Sequence, residues 1–256
     1  MHTNSSEPNA PVKTAQTTFR IVEALKSLDG ATVTELSSHL DIPKSSAHNY
    51  LRTLEHLGYV VERDQEYGVS LRFLDLGGYA RSRERLYSIA LPEMERLAEA
   101  TGEYANLLVE EHGLGVFLAR ERGENAVSLD SYAGQSVRLH TTALGKTILA
   151  YLPEERVEQI IERHGLPAKT EHTITDGDEL FEALGDIRDR EHAYDREERI
   201  KGLHCVAVPI LCDGEIAASL SVSGPVSRID QDRIDSEILP ELRRAANIIE
   251  LNQTHS

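Results

Sequence analysis

The stretch "LSSHLDIPKSSAHNYLRTLEHLGYVV", residues 36–61, contains the spacing that decides the fold. Ala47, Leu51, Leu54 and Leu57, with Tyr50 alongside, recur at helical intervals and form one apolar face of a helix from Pro43 to about Leu57. Ser45, His48, Asn49 and Arg52 stand at i, i+3, i+4 and i+7, so they project together from another face. Between Pro43 and Leu54 there are two basic residues and no acidic one. A helix that enters the major groove of DNA needs short or fork-shaped hydrogen-bonding side chains of this kind. Arg matches guanine, Asn matches adenine, and Ser reaches bases or phosphate. Lys44, Ser45 and Ser46 lie at the helix start, where unpaired N–H groups and the helix dipole favour phosphate. The competing reading is a solvated polar face on a packing helix, for which Glu and Lys are the commoner residues.

The flanking sequence completes the unit. Upstream, Ile21, Val22, Leu25 and Leu28 keep helical spacing over Thr14–Leu28, and Asp29-Gly30 ends that helix. Thr32-Val33-Thr34-Glu35 is a capping-box pattern that starts a second helix at Thr32, with Leu36 and Leu40 as its buried stripe. Asp41-Ile42-Pro43 breaks it, with Pro43 suited to the first position of the third helix. Downstream, Gly58 closes that helix, and Tyr59–Arg63 and Tyr67–Leu71 read as strands around the turn Asp64-Gln65-Glu66. Helix, short helix, turn, helix and hairpin make a winged helix-turn-helix. The candidate DNA contacts are Lys44, Ser45, Ser46, His48, Asn49 and Arg52, with Arg63 on the hairpin and Arg20 on the first helix.

Charge is divided unevenly. The net charge of −16 argues against nucleic acid if it is spread evenly. Residues 12–85, however, hold ten basic and ten acidic residues, whereas 86–256 hold seventeen basic and thirty-two acidic. A neutral head thus sits on an acidic body. Such acidity fits a salt-rich cytoplasm, where phosphate attraction is screened in any case; an ordinary acidic protein is the alternative. Apolar content of 40% supports ordered cores. No apolar run reaches the length of a membrane span, and the polar residues 1–18 carry no signal-peptide core, so the protein is expected in the cytoplasm. Cys205 and Cys212 offer neither a disulfide framework nor a CxxC metal motif.

Beyond the hairpin the reading becomes mixed α and β. Gly77-Gly78 suggests a linker, followed by a helix to Thr101-Gly102 with the apolar stripe Leu86, Ile89, Ala90, Met94, Leu97 and Ala98. Arg81, Arg83 and Arg85 suit either phosphate contact or a solvated linker. Strands are expected at 105–110, 115–120, 126–131, 136–139, 206–211 and 216–223, and helices at 143–152, 154–164, 178–192 and 231–251. Thr141, Thr142 and the Ala143-Leu144-Gly145 backbone stand at a helix entry that offers donors to a carboxylate. Ser221 and Ser223, two apart on a strand, face one side, and Cys205 invites the same parity argument; Asp195 reads as part of a polar loop over a pocket.

Three segments together resemble the IclR family of transcription regulators: residues 36–61 above, "RLHTTALGKTILAYLP" at 138–153 and "GLHCVAVPILCDGEIAASLSVSGPVSRI" at 202–229. The resemblance runs from about residue 14 to 252 and points to an archaeal, salt-adapted form. It implies an α+β chain: a tail at 1–11, a winged helix-turn-helix at 12–75, a linker helix at 76–102 and a GAF-like α/β effector-binding domain at 103–256. It also implies dimers, and commonly tetramers, acting on a pseudo-palindromic double-stranded operator. The positions matching Leu129, Ala143, Leu144, Asp195, Leu203, Cys205, Ser221 and Ser223 line a small-ligand cavity in that family; Thr142 joins them from the helix-entry argument. The ligand class implied is an organic acid or sugar derivative. His204 stands where Arg is common in the family, so ligand identity does not carry over.

Other classes fare worse. Gly145-Lys146-Thr147 looks like the end of a P-loop, but His140 occupies the place of its first glycine. There is no GxSxG elbow, and His204 and Cys205, as strand neighbours, point to opposite faces; no enzyme and no cofactor is expected. The rival regulatory reading is a metal sensor built from His140, His192, His204, Asp195 and Cys205.

Overall fold

Leu51, Ala47 and Leu36 are fully buried beside Ile21 and Leu25, and this apolar seam orders the first eighty residues. The computed structural model describes residues 11–127 and 131–254, which divide into two compact units between Ala80 and Arg81. In the first unit α1 (Lys13–Ser27) leads to α2 (Val33–Leu40) and α3 (Lys44–His56). The capping box forms as the sequence predicts: Glu35 N–H donates to Thr32 Oγ1 at 3.3 Å, and Thr32 N–H donates to Glu35 Oε2 at 2.8 Å. The α2–α3 turn is set by Asp41 in the left-handed region (φ 52°) and by Ser37 Oγ, which donates to Ile42 O at 2.7 Å. Pro43 caps α3 rather than occupying its first turn, a shift of one residue.

Gly58 (φ 79°) ends α3 in a Schellman motif: Tyr59 N–H reaches Leu54 O at 2.8 Å and Gly58 N–H reaches Glu55 O at 2.9 Å. The hairpin follows as β1 (Val60–Arg63) and β2 (Glu66–Val69). Its turn is shorter than the three-residue loop expected. Asp64 and Gln65 alone make it, both at positive φ, in the sense that matches strand twist. Ala31 bridges to Tyr67 and adds a third pairing to the wing.

Gly77-Gly78 does not form a linker. Both glycines lie inside α4 (Arg72–Arg83), and Glu84 then separates it from α5 (Arg85–Thr101). In the second unit β3 (Tyr104–Glu111), β4 (Leu114–Arg122) and β5 (Ser136–Arg138) precede a 3-10 turn at Leu139–Thr141, α6 (Ala143–Tyr151), α7 (Glu154–His164) and α8 (Gly177–Arg190). Then come β6 (Ala193–Arg196), β7 (Leu203–Cys212), β8 (Glu215–Pro225), α9 (Gln231–Arg233), a π turn at Ile234–Ile238 and α10 (Leu239–Thr254). The strands form one antiparallel sheet in the order β5-β4-β3-β8-β7-β6. The strand expected at 126–131 is not formed at Ala126 and Val127, and 128–130 lie outside the described residues.

Strand alternation assigns the two faces. Leu220, Val222, Val206 and Val208 join the core with α5 and α10, where Met94, Leu97, Leu242 and Ile249 are buried. Ala207 and Cys205 turn the other way, toward Leu144, Ile148 and Leu184 of α6 and α8. The two layers on either side cover a sheet whose central strands are buried on both faces.

Candidate functional site

The α3 surface splits cleanly. Ala47, Leu51 and Leu54 are buried, whereas Lys44, Ser45, His48, Asn49 and Arg52 are exposed and Ser46 is half-buried. Among the described residues, no hydrogen bond or ion pair engages the side chains of Ser45, His48, Asn49 or Arg52. The N–H groups of Lys44, Ser45 and Ser46 form the uncapped first turn of α3, since the first return bond runs from Ala47 N–H to Pro43 O. Arg63 is exposed at the wing tip and Arg20 is exposed on α1. The arrangement presents hydrogen-bonding side chains and a positive helix end to solvent.

The second site lies on the α6 face of the sheet. The register lines up Asp195, Cys205, Ser223 and Tyr104 across β6, β7, β8 and β3, with Ala207, Ser221, Asn106 and Arg120 in the neighbouring row. Asn106 Nδ2 donates to Ser221 Oγ at 3.2 Å and Ser223 Oγ at 3.0 Å, and its Oδ1 accepts from Arg120 Nε at 2.8 Å. Arg120 also donates to Ser131 O. Thr142 caps α6 by accepting from Gly145 N–H at 2.9 Å, while Ser219 Oγ donates to Leu144 O at 2.9 Å. Gly145 allows the close approach, because a Cβ there would stand 2.1 Å from Leu139 O.

Thr142, Ala143, Leu144, Asp195, Leu203, Cys205, Ser221 and Ser223 all line one narrow pocket, whose cavity volume is about 20 Å3 in this conformation. Leu129 lies outside the described residues. Sequence reasoning did not find Asn106, Phe117, Arg120, Ser131, Arg199 and Ile200, which complete the lining. Asp195 is not in a loop, as expected from its polar neighbours. It is buried on edge strand β6, opposite Cys205, and its Oδ1 accepts from Glu198 N–H at 2.8 Å. The loop begins after it, and Lys146 of α6 pairs with Glu198 there. Burial, reinforced by the charge of Glu198, raises the Asp195 carboxyl to about 7. Burial likewise pushes the Cys205 thiol well above its usual range, so it remains a thiol.

The residues of the metal alternative do not converge. His140 Nε2 lies 3.2 Å from Pro167 O, His192 Nδ1 lies 2.7 Å from Arg190 O, and His204 Nδ1 lies 2.9 Å from Ile229 O. Among the described residues no group of three His, Cys, Asp or Glu side chains is placed to hold an ion.

The "IclR helix-turn-helix domain" matches residues 14–64, and "Bacterial transcriptional regulator IclR C-terminal" matches 79–251. The chain belongs to the IclR family of transcription regulators. It is 32% identical over 254 residues to the probable HTH-type transcriptional regulator ArcR of Halobacterium salinarum, covering 97% of this chain and 96% of the relative. The crystal structure of Thermotoga maritima IclR matches with a TM-score of 0.74 at 29% identity, over 94% of this chain and 98% of that one. The inducer-binding domain of PobR from Acinetobacter, a double mutant in complex with 3-hydroxybenzoic acid, matches with a TM-score of 0.59 at 27% identity, over 64% of this chain and 96% of that one. This IclR-family chain is thus a DNA-binding transcription regulator with a ligand-binding C-terminal domain, supported over the metal-sensing alternative and without an enzymatic role.

Proposed function

We propose that Ser45, His48, Asn49 and Arg52 read base edges in the major groove, while Lys44, Ser46, Arg63 and Arg20 hold phosphates. The observation that carries this reading is the exposed quartet on α3, free of protein partners and backed by a buried apolar stripe. Two copies bind a pseudo-palindromic operator whose half-sites lie about one helical turn (10–10.5 bp) apart, or a multiple of it. Phe19, Leu71, Leu74 and Tyr79 support self-association, since each is more than 60% exposed on or beside α1 and α4.

The effector occupies the pocket between the sheet and α6 and is a small organic acid or sugar derivative. The free first-turn N–H groups of Ala143 and Leu144 suit an acid group, Ser221 and Ser223 supply hydroxyls, and the similar PobR domain is seen with an aromatic acid. Binding there alters the spacing of two winged units, and so operator affinity. The regulator works in the cytoplasm, and its acidic second unit suits high salt. Footprinting of genomic fragments retained by the full chain tests this account. Two protected half-sites, released or tightened by an acid from a panel of metabolites, are expected. Uniform protection with no effect of any acid or sugar would contradict it.

A further inference from the structure

Two guanidinium groups stand in the effector pocket, and among the described residues neither is held in an ion pair. Arg120 lies over the Phe117 ring at 5.5 Å and over Tyr104 at 4.6 Å, and Arg199 lies over the same Phe117 at 5.3 Å. Arg120 donates only to the neutral acceptors Asn106 Oδ1 and Ser131 O; Arg199 reaches Gln135 Oε1 at 3.5 Å. Burial depresses the pKa of both; the Arg199 charge adds to the depression at Arg120, whereas the Asp195 carboxyl partly offsets it at Arg199.

The other charges nearby do not offset them. Lys146 and Glu198 neutralise each other in a buried pair, which also explains why a Gly-Lys-Thr sequence occurs here without a phosphate loop. Asp195 is the remaining carboxyl of the lining. The lining therefore holds two cations against one acid, and the α6 N-terminus adds further positive character beside Ala143 and Leu144. One carboxylate satisfies one end of such a site and leaves the desolvated arginine pair uncompensated.

We propose that the effector is a diacid: one carboxylate at the α6 N-terminus, the second held by Arg120 and Arg199. This rests on reading the pocket as the effector site and assigns its ligand class. Arg120 is already stacked and anchored through Asn106 to Ser221 and Ser223, so its fork is oriented before a ligand arrives. Arg199 stands four residues after Asp195, on the segment tied to α6 through Glu198.

The test uses the full chain and calorimetric titration with acids matched in length: succinate against butyrate, glutarate against valerate, adipate against hexanoate. At least one diacid should bind about tenfold or more tightly than its monoacid partner. Arg120→Gln and Arg199→Gln should each erase that advantage by lowering diacid affinity more than monoacid affinity, with an unchanged circular dichroism spectrum and melting temperature reporting an intact fold. Arg199→Lys should restore part of it, as a charge without the fork. Equal affinity for diacids and monoacids, unaffected by Arg→Gln, would overturn the diacid assignment and leave the effector pocket standing. Failure of every acid to bind would overturn the diacid assignment together with the organic-acid branch of the proposed ligand class.

Discussion

Ser45 on α3 and Ser221 on β8 are the same side chain in opposite settings. Ser45 is exposed with no partner, beside three other free polar groups; Ser221 is 1% exposed and accepts from Asn106, inside a network that reaches Arg120. The first face is unsatisfied by the protein and turned to water, which suits a large, polar, flat-sided ligand such as duplex DNA. The second is preorganised within a small cavity and suits a metabolite. Polar residue type alone does not separate the two; the apolar residues around each serine do. Ala47 and Leu51 back one side of a helix, whereas Leu220 and Val222 alternate with Ser221 on a strand covered on both faces.

If the two regions are separate devices, damage to one leaves the other working. Leu51→Ala opens the core of the first unit and should cost about 2–5 kcal/mol there. DNA binding should be lost while acid binding persists in calorimetry; joint loss of both would break the division. Replacing Asn49 and Arg52 together by Ala should weaken operator binding by about a hundredfold without changing the circular dichroism or the melting temperature. Thr32→Ala removes the capping acceptor of α2 and should destabilise the winged unit by about 1 kcal/mol, seen as a lower melting temperature with effector affinity unchanged.

The smallest effect belongs to the pocket. Asp195 titrates near 7 in the folded chain against 3.8 for an ordinary Asp, so folding takes up a proton between those values. Its contribution to stability therefore falls as pH rises through that window. The same carboxyl, flanked by Glu198, Lys146, Arg199 and Cys205, is neutral below about 7 and repels an acid ligand above it. Acid affinity should rise a few-fold (at most roughly tenfold) from pH 8 to pH 6, and Asp195→Asn should flatten the profile. A wild-type profile without slope would show that Asp195 does not face the ligand's charge.

How much was legible in the sequence differs between the regions for a physical reason. The α3 site is local: one helix carries its residues at i, i+3, i+4 and i+7, so periodicity alone groups them. The pocket draws Asn106, Arg120, Thr142, Arg199 and Ser221 from five separate segments: sheet register joins the first two to Ser221, while Thr142 comes from the start of α6 and Arg199 from the loop after β6. Family resemblance supplied positions within the motifs at 138–153 and 202–229 and, outside them, Leu129 and Asp195, but neither Arg120 nor Arg199. Strand β6 was missed because Ala-Tyr-Asp-Arg is four residues long and half polar; its burial comes from β7 and the loop above it, not from its own composition. Gly77-Gly78 was misread because glycine costs a helix only about 1 kcal/mol each, which the rest of α4 tolerates.

The central claim is that α3 reads bases, and selection from randomised duplexes at fixed salt addresses it directly. Wild type, Arg52→Ala and Lys44→Ala are compared. Arg52→Ala should lose its preference at one base pair in each half-site while the remaining positions keep theirs; Lys44→Ala should weaken all sequences alike. An unchanged base preference in Arg52→Ala, with affinity merely lowered across every sequence, would contradict the account.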